Sequence, residues 1–284
     1  VACLVASAVH LAAKELTPAG AAARLGITLS TDDDTALTLV GRILTCVYQS
    51  TANSGPVTRA AARGLAEAIG ATFYEFDVEP MVAAYTAAVA TAIGRPLDWS
   101  HDDIALQNIQ ARGRSPGIWM LANVSRALLL STSNRSEAAV GYATMDGDTS
   151  GGIAPIAGID KAFLRRWLVW MERSGPAGLA PIPALAAVNA QPPTAELRPA
   201  GSGQTDEGDL MPYDVLDAIE RCAIRDKQLP VEVWRRMQVH FPDHEPRQLA
   251  EWTERFFTLW SRNQWKRERY APSYHLDDEN LDPK

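Results

Sequence analysis

The 284 residues hold three cysteines, Cys3, Cys46 and Cys222, an odd number set far apart, and no CxxC. That excludes a disulfide framework and a thiolate zinc site, and it fits reduced thiols in a cytoplasmic protein. Basic residues are in deficit, 27 Lys and Arg against 34 Asp and Glu, for a net charge of −7. A bulk DNA or RNA binder carries a basic face, so nucleic acid is excluded as a partner. A small anion held by a few local cations is not. No apolar run reaches transmembrane length, so no membrane partner is expected. The opening VACLVASAVHLAA has no basic n-region and is too short to span. There are no internal repeats. His240 and His244 bracket Pro242, which spoils helical spacing, and no metal pair is read there.

What is present is an alternation of strands and helices. Residues 1–25 read as one apolar helix of the kind that packs on a sheet. Residues 35–42 read as a short helix, 43–49 (ILTCVYQ) as a strand and 50–56 (STANSGP) as a loop. Helix follows over 57–69, strand over 72–78 and helix over 79–93. Helices are expected over 103–114 and 117–124, broken at Ser115-Pro116. A strand over 127–131 then leads to a short helix over 136–142. Near-continuous apolar strands separated by helices predict an α/β fold, a parallel sheet with helices on both faces. Ligands of such sheets sit at the carboxyl ends of the strands, where STANSGP and STSNRSE both lie. Past Lys161–Met171, another helix, residues 174–208 are crowded with Pro, Gly and Ala and read as a lid or an irregular loop. The last part is helical, with Leu249, Trp252, Phe256 and Trp260 forming a core stripe. SYHLDDENLDPK ends the chain as a surface extension or a frayed tail.

The stretch STSNRSEAAVGYATMDGD, residues 131–148, carries the candidate chemistry. Asn134 followed by Glu137 fits a capping box, in which Asn134 caps a helix and Glu137 bonds back to it. The same geometry offers phosphate the free N–H groups of a helix start, and offers Mg²⁺ a hard carboxylate beside that phosphate. Both readings stay open. Asp146 and Asp148 flank Gly147, which is ordinary turn chemistry or a loop gripping an amide or sugar hydroxyl. Lys161 is a solvated lysine or a point charge for a phosphate.

Four stretches taken together carry a resemblance: NIQARGR (108–114), residues 131–161, PTAELRP with QTDEGDLMPYDVLD (193–217), and NQWKRERYAPSYHLDDENLDP (263–283). In order and spacing they resemble the synthetase domain of NAD synthetase of the bacterial glutamine-dependent type, over nearly the whole chain. The resemblance implies a Rossmann-like sheet of the adenine nucleotide α-hydrolase type with a helical C-terminal part. It implies adenylation of deamido-NAD by Mg-ATP, release of pyrophosphate, and displacement of AMP by ammonia drawn from glutamine. It places ATP contacts on Thr132, Lys161 and Thr194, the Mg²⁺ ligand on Glu137, and deamido-NAD contacts on Arg112, Asp148 and Lys266. It makes residues 189–208 a mobile active-site loop and 270–284 an extended tail, and it implies homo-oligomers, commonly dimers.

The chain departs from the family at Met145, often Lys there, and at Gly152, often Asp. Both are substrate-side positions. It also lacks the family's pyrophosphate loop, SGGxDS, its first strand, and any glutaminase domain. With Val1 and an uncapped apolar run at the start, the expectation is a fragment cut just after that loop. Such a fragment lacks the N–H cradle for pyrophosphate and is inactive by itself. The competing expectations are another ATP-pyrophosphatase amidotransferase, GMP-synthetase-like, and an inactive nucleotide-binding module.

Overall fold

The computed structural model describes residues 1–30, 35–199, 201, 203–279 and 281. The chain runs α1 (Ala2–Leu16), α2 (Pro18–Arg24), α3 (Ala36–Ile43), β1 (Thr45–Ser50), α4 (Pro56–Ala68), β2 (Thr72–Asp77), α5 (Glu79–Ile93) and α6 (Asp103–Ser125). Then follow α7 (Arg135–Val140), α8 (Lys161–Arg173), a 3-10 turn (Pro183–Leu185), α9 (Ala186–Asn189), α10 (Asp206–Asp209), α11 (Tyr213–Ile224), α12 (Pro230–His240), α13 (Pro246–Arg262) and α14 (Gln264–Arg267). Residues 1–80 with 166–192 make one compact unit, and residues 81–165 with 193–284 make another. No helix among the described residues is long and apolar enough to cross a membrane.

In the first unit β1 and β2 pair in parallel, Thr45 opposite Thr72 through Ser50 opposite Asp77, with α4 as the crossover. The Leu44 carbonyl and the Thr72 N–H extend the ladder at its start, 3.0 Å apart. Punctuation is local. Thr35 caps α3 by accepting the Thr38 N–H at 3.0 Å, and Pro56 opens α4 in the first turn, where its missing N–H costs nothing. The single helix expected over 1–25 is two. Pro18 disfavours helical backbone at the residue before it, so Thr17 turns to φ 65° and caps α2 through its hydroxyl. Nor is α1 buried all round: Cys3, Ala6, Val9 and Ala13 form its inner stripe while Leu4, Leu11 and Leu16 are exposed.

The second unit is built on α7 and α11 to α13. Leu216, Ile219, Met237, Leu249 and Phe256 are fully buried, with Ala139 and Val140 of α7 among them. Each large apolar side chain removed from water there contributes about 1.5–3 kcal/mol. Trp252 and Trp260 pack against this core, completing the expected stripe on α13. Two expectations fail here. α6 runs unbroken through Pro116, which gives up one bond to the Arg112 carbonyl without ending the helix. Residues 127–131 form no strand, only an isolated parallel bridge between Leu130 and Ile153. Leu128 is 67% exposed, so the ALLL run is not a buried central strand.

Candidate functional site

The backbone leaves the Leu130 bridge and turns at Ser131, whose N–H is held by the Ile153 carbonyl at 2.9 Å. Asn134 then caps α7, its side chain accepting the Glu137 N–H at 3.0 Å. Half of the capping box is therefore present. The Glu137 carboxylate goes elsewhere: its Oε1 lies 2.6 Å from Lys161 Nζ, with the two side chains 19% and 23% exposed. α7 ends at Gly141, which takes the left-handed conformation, φ 67°.

These residues edge a cleft of about 500 Å³ within the second unit. Thr132, Glu137, Asp148, Lys161, Thr194 and Lys266 all line it. The Lys161 ammonium also sits over the Tyr213 ring, 5.6 Å from its centre. Lys266 donates to the Gly141 and Ala143 carbonyls at 2.7 and 2.8 Å, and burial lowers its pKa. Asp148 closes the turn after Ala143 by accepting the Thr144 N–H at 2.9 Å. Asp146 has φ 63°, and the Gly147 N–H bonds back to Thr144. The turn reading of MDGD thus holds, and the same turn puts Asp148 at the cleft, where burial raises its carboxyl pKa.

Arg112 is not among the cleft-lining residues; its Nε donates to the Met145 carbonyl at 3.1 Å. From the same NIQAR stretch, Asn108 and its neighbour Gln107 do line the cleft, and Asn108 accepts the Thr144 hydroxyl at 2.8 Å. Met145 is 2% exposed. A Cβ at Gly152 would lie 2.9 Å from Leu128. Pro193, Thr194, Ala195 and Leu197 border the cleft from the Pro-rich segment. That segment is tied to α6: Gln110 donates to the Leu197 carbonyl at 2.7 Å, and Arg198 pairs with Asp103 at 2.9 Å. Within 189–208, Ala200 and Ser202 lie outside the described residues, as do Asn280, Asp282, Pro283 and Lys284 of the expected tail.

Sequence reasoning missed Asp206. It is 5% exposed and lines the cleft; its Oδ2 accepts the Tyr213 hydroxyl at 2.9 Å, while Oδ1 is buried with no hydrogen-bond partner. Burial raises its pKa. It sits in DEGDL, an acidic run that reads as a helix start, so nothing local marks it. Among the described residues no group of three or more acidic, His or Cys side chains converges on a metal position. Mg²⁺, however, is usually held by one or two carboxylates together with substrate phosphates. Glu137, with the under-satisfied Asp206 in the same cleft, fits that donor set.

Residues 38–269 match the NAD synthase family model. The human glutamine-dependent NAD(+) synthetase is 32% identical over 265 residues, which cover 84% of this chain and 36% of the human protein. The Aquifex aeolicus enzyme of the same name is 35% identical over 190 residues, 67% of this chain and 31% of that protein. The chain thus spans about a third of the length of these relatives. Among solved structures, a glutamine-dependent NAD(+) synthetase from Cytophaga hutchinsonii superposes with a TM-score of 0.84 at 44% identity, over 99% of this chain and 46% of that one. An NMN synthetase from Francisella tularensis, 17% identical with a TM-score of 0.59, shares the fold. The match across most of the chain, in sequence and in structure, places this protein in the NAD synthase family.

Proposed function

We propose that this chain supplies, within the whole protein, the ligase site of NAD synthesis, the ATP-dependent amidation of deamido-NAD. A nicotinate carboxylate oxygen attacks the α-phosphorus of ATP, the bond to pyrophosphate breaks, and an acyl adenylate forms. Ammonia then attacks the acyl carbon, the bond to AMP breaks, and the nitrogen gives up a proton to leave the carboxamide. Ammonia comes from glutamine through a glutaminase part in the whole protein, a reading supported by the glutamine-dependent relatives. A dimeric assembly belongs to the same proposal.

The observation that carries this reading is the meeting of Glu137 and Lys161, 2.6 Å apart, in a cleft also edged by Thr132 and Thr194. The reaction brings two anions together, and their repulsion must be offset where they meet. Lys161 supplies a fixed cation for the phosphates, and Thr132 and Thr194 supply hydroxyls to orient the nucleotide. Glu137, with Asp206 in the same cleft, would hold Mg²⁺, which when bound would neutralise phosphate charge and polarise the phosphoryl oxygens. Asp148 and Lys266 face the deamido-NAD side. Arg112 serves that side by fixing, through the Met145 carbonyl, the turn that presents Asp148. The loop expected over 189–208, whose described residues Pro193, Thr194, Ala195 and Leu197 border the cleft, closes over the adenylate and keeps out the water that would hydrolyse it.

The test is Glu137→Gln in the whole protein, supplied with ATP, deamido-NAD and ammonia. AMP and pyrophosphate release is expected to fall by about 100-fold or more. Wild-type release in that variant removes Glu137 from the site. Equal turnover with xanthylate in place of deamido-NAD points instead to a GMP-synthetase-like ligase.

A further inference from the structure

The Glu137–Lys161 pair joins two consecutive helices across a 20-residue connection, and neither residue alone fixes their spacing. A third element does. Asp217, on α11 in the core of the second unit, is 6% exposed and does not line the cleft. Its Oδ1 accepts the Ser136 hydroxyl at 2.5 Å, and its Oδ2 accepts the Ala162 N–H at 3.0 Å. Ser136 is fully buried, and its oxygen in turn accepts the Lys161 N–H at 2.8 Å. Ser136 directly precedes Glu137, and Ala162 directly follows Lys161. One carboxylate and one hydroxyl thereby bind the residue beside each site charge.

We propose that Asp217, acting through Ser136, is a positioning residue that sets the register between α7 and α8 and so the placement of Glu137 and Lys161 for Mg-nucleotide. The inference rests on the reading of the cleft given above. Its physical basis is the number of acceptors. The carboxyl group uses both oxygens at once, and each bond is shielded from water. An amide puts an NH₂ donor in place of one oxygen, and the Ser136 hydroxyl and the Ala162 N–H both donate, so one of the two bonds is lost or reversed. Ser136 supplies the donor and the acceptor that link them, which alanine cannot. Groups that orient a metal ligand typically carry about 10- to 100-fold in metal affinity.

The experiment measures Mg-ATP binding by calorimetry across a Mg²⁺ titration, with thermal unfolding run in parallel, in the whole protein. The variants are Ser136→Ala, Asp217→Asn, the double variant, and Glu137→Gln as reference. Ser136→Ala removes one oxygen from a helix and keeps the fold. The Mg²⁺ half-saturation concentration is expected to rise by about 10- to 100-fold in each single variant. The double variant should be no weaker than the weaker single one, because the two residues act as one unit. Suppose Ser136→Ala binds Mg-ATP as the wild type does while Glu137→Gln is impaired. The positioning role is then overturned and the cleft reading stands. Wild-type binding by Glu137→Gln overturns the cleft reading itself, and this inference with it.

Discussion

Lys161 Nζ and Glu137 Oε1 lie 2.6 Å apart at the mouth of a cleft, each side chain about one-fifth exposed. For a pair so largely shielded from water, the cost of desolvating both charges offsets much of their attraction, so the pair is weak evidence for stability. Its value lies in placing two opposite charges where a phosphate and a cation can use them. Lys161→Met should therefore leave thermal stability almost unchanged while raising the Kd for ATP. Losing a hydrogen bond to a charged group costs about 1.5–3 kcal/mol, roughly 10- to 100-fold in affinity. Calorimetry with ATP against a thermal melt separates the two effects. A variant that melts early but binds normally would make the lysine structural.

Arg135 has the opposite profile. Its side chain is 3% exposed, and it meets Asp160, Glu220, Asp277 and Glu279 at 2.9–3.3 Å. Glu220 is itself 1% exposed, and burial raises its pKa well above the ordinary value. The arginine is what makes this crowd of carboxylates tolerable. Arg135→Met should cost about 3–5 kcal/mol, because it strands buried acids without a counter-charge. Glu220→Gln in that background should recover part of the loss. Urea unfolding of the single and double variants measures both, and no recovery would show that Glu220 is already neutral beside the arginine.

The alternation of β1, α4, β2 and α5 was legible because each boundary carries a local signal: Thr35 and Pro56 at helix starts, Gly70 at a helix end, β-branched and aromatic residues between. The break at Pro116 was not real. A proline's missing N–H is a local cost, and a 23-residue helix absorbs it. The bridge at Leu130 shows the reverse. An apolar run has strand propensity, but a strand needs a partner along its length, and here the pairing stops at the Leu130–Ile153 bridge and the flanking Gly152 N–H to Leu129 carbonyl bond. In the site, Thr132, Glu137, Lys161, Thr194, Asp148 and Lys266 were nameable from the resemblance, and the structure brings them to one cleft. Asp206, Ser136 and Asp217 were not, because what singles them out is contact across 70 or more residues or an orphaned oxygen, and no sequence pattern encodes either.

Two glycines make a matched test of backbone geometry. Gly141 ends α7 at φ 67°, and a Cβ there would sit 2.5 Å from Asn263 Cβ, whose amide donates to the Val140 carbonyl. Gly64 lies inside α4 with nothing within 4 Å of an added Cβ. Gly141→Ala should cost about 1–3 kcal/mol from strain and displacement of Asn263, and should disturb the Lys266 bond to the Gly141 carbonyl. Gly64→Ala should stabilise by about 0.5–1 kcal/mol. Denaturant midpoints read both, and a neutral Gly141→Ala would mean that Asn263 moves aside freely.

The buried carboxylate of Asp217 makes stability depend on pH in a direction opposite to that of a salt-bridged acid. Burial, opposed by its bonds from Ser136 and Ala162 and helped by the neighbouring Asp160, raises its pKa from 3.8 to about 7. The folded protein therefore keeps a proton that the unfolded chain has released between those values. Stability is full below pH 4 and falls as pH rises toward 7, by at most roughly 1.4 kcal/mol per pH unit. Asp217→Asn does not titrate. At pH 4 the protonated wild type offers the same one acceptor and one donor as the amide, so the two should be about equally stable there, and the variant should gain on the wild type steadily up to pH 7 and level off above it. Urea unfolding of both proteins at half-unit steps gives the difference directly. A gap that stays constant from pH 4 to 7 would place the Asp217 pKa near its unfolded value and remove the burial cost from this position.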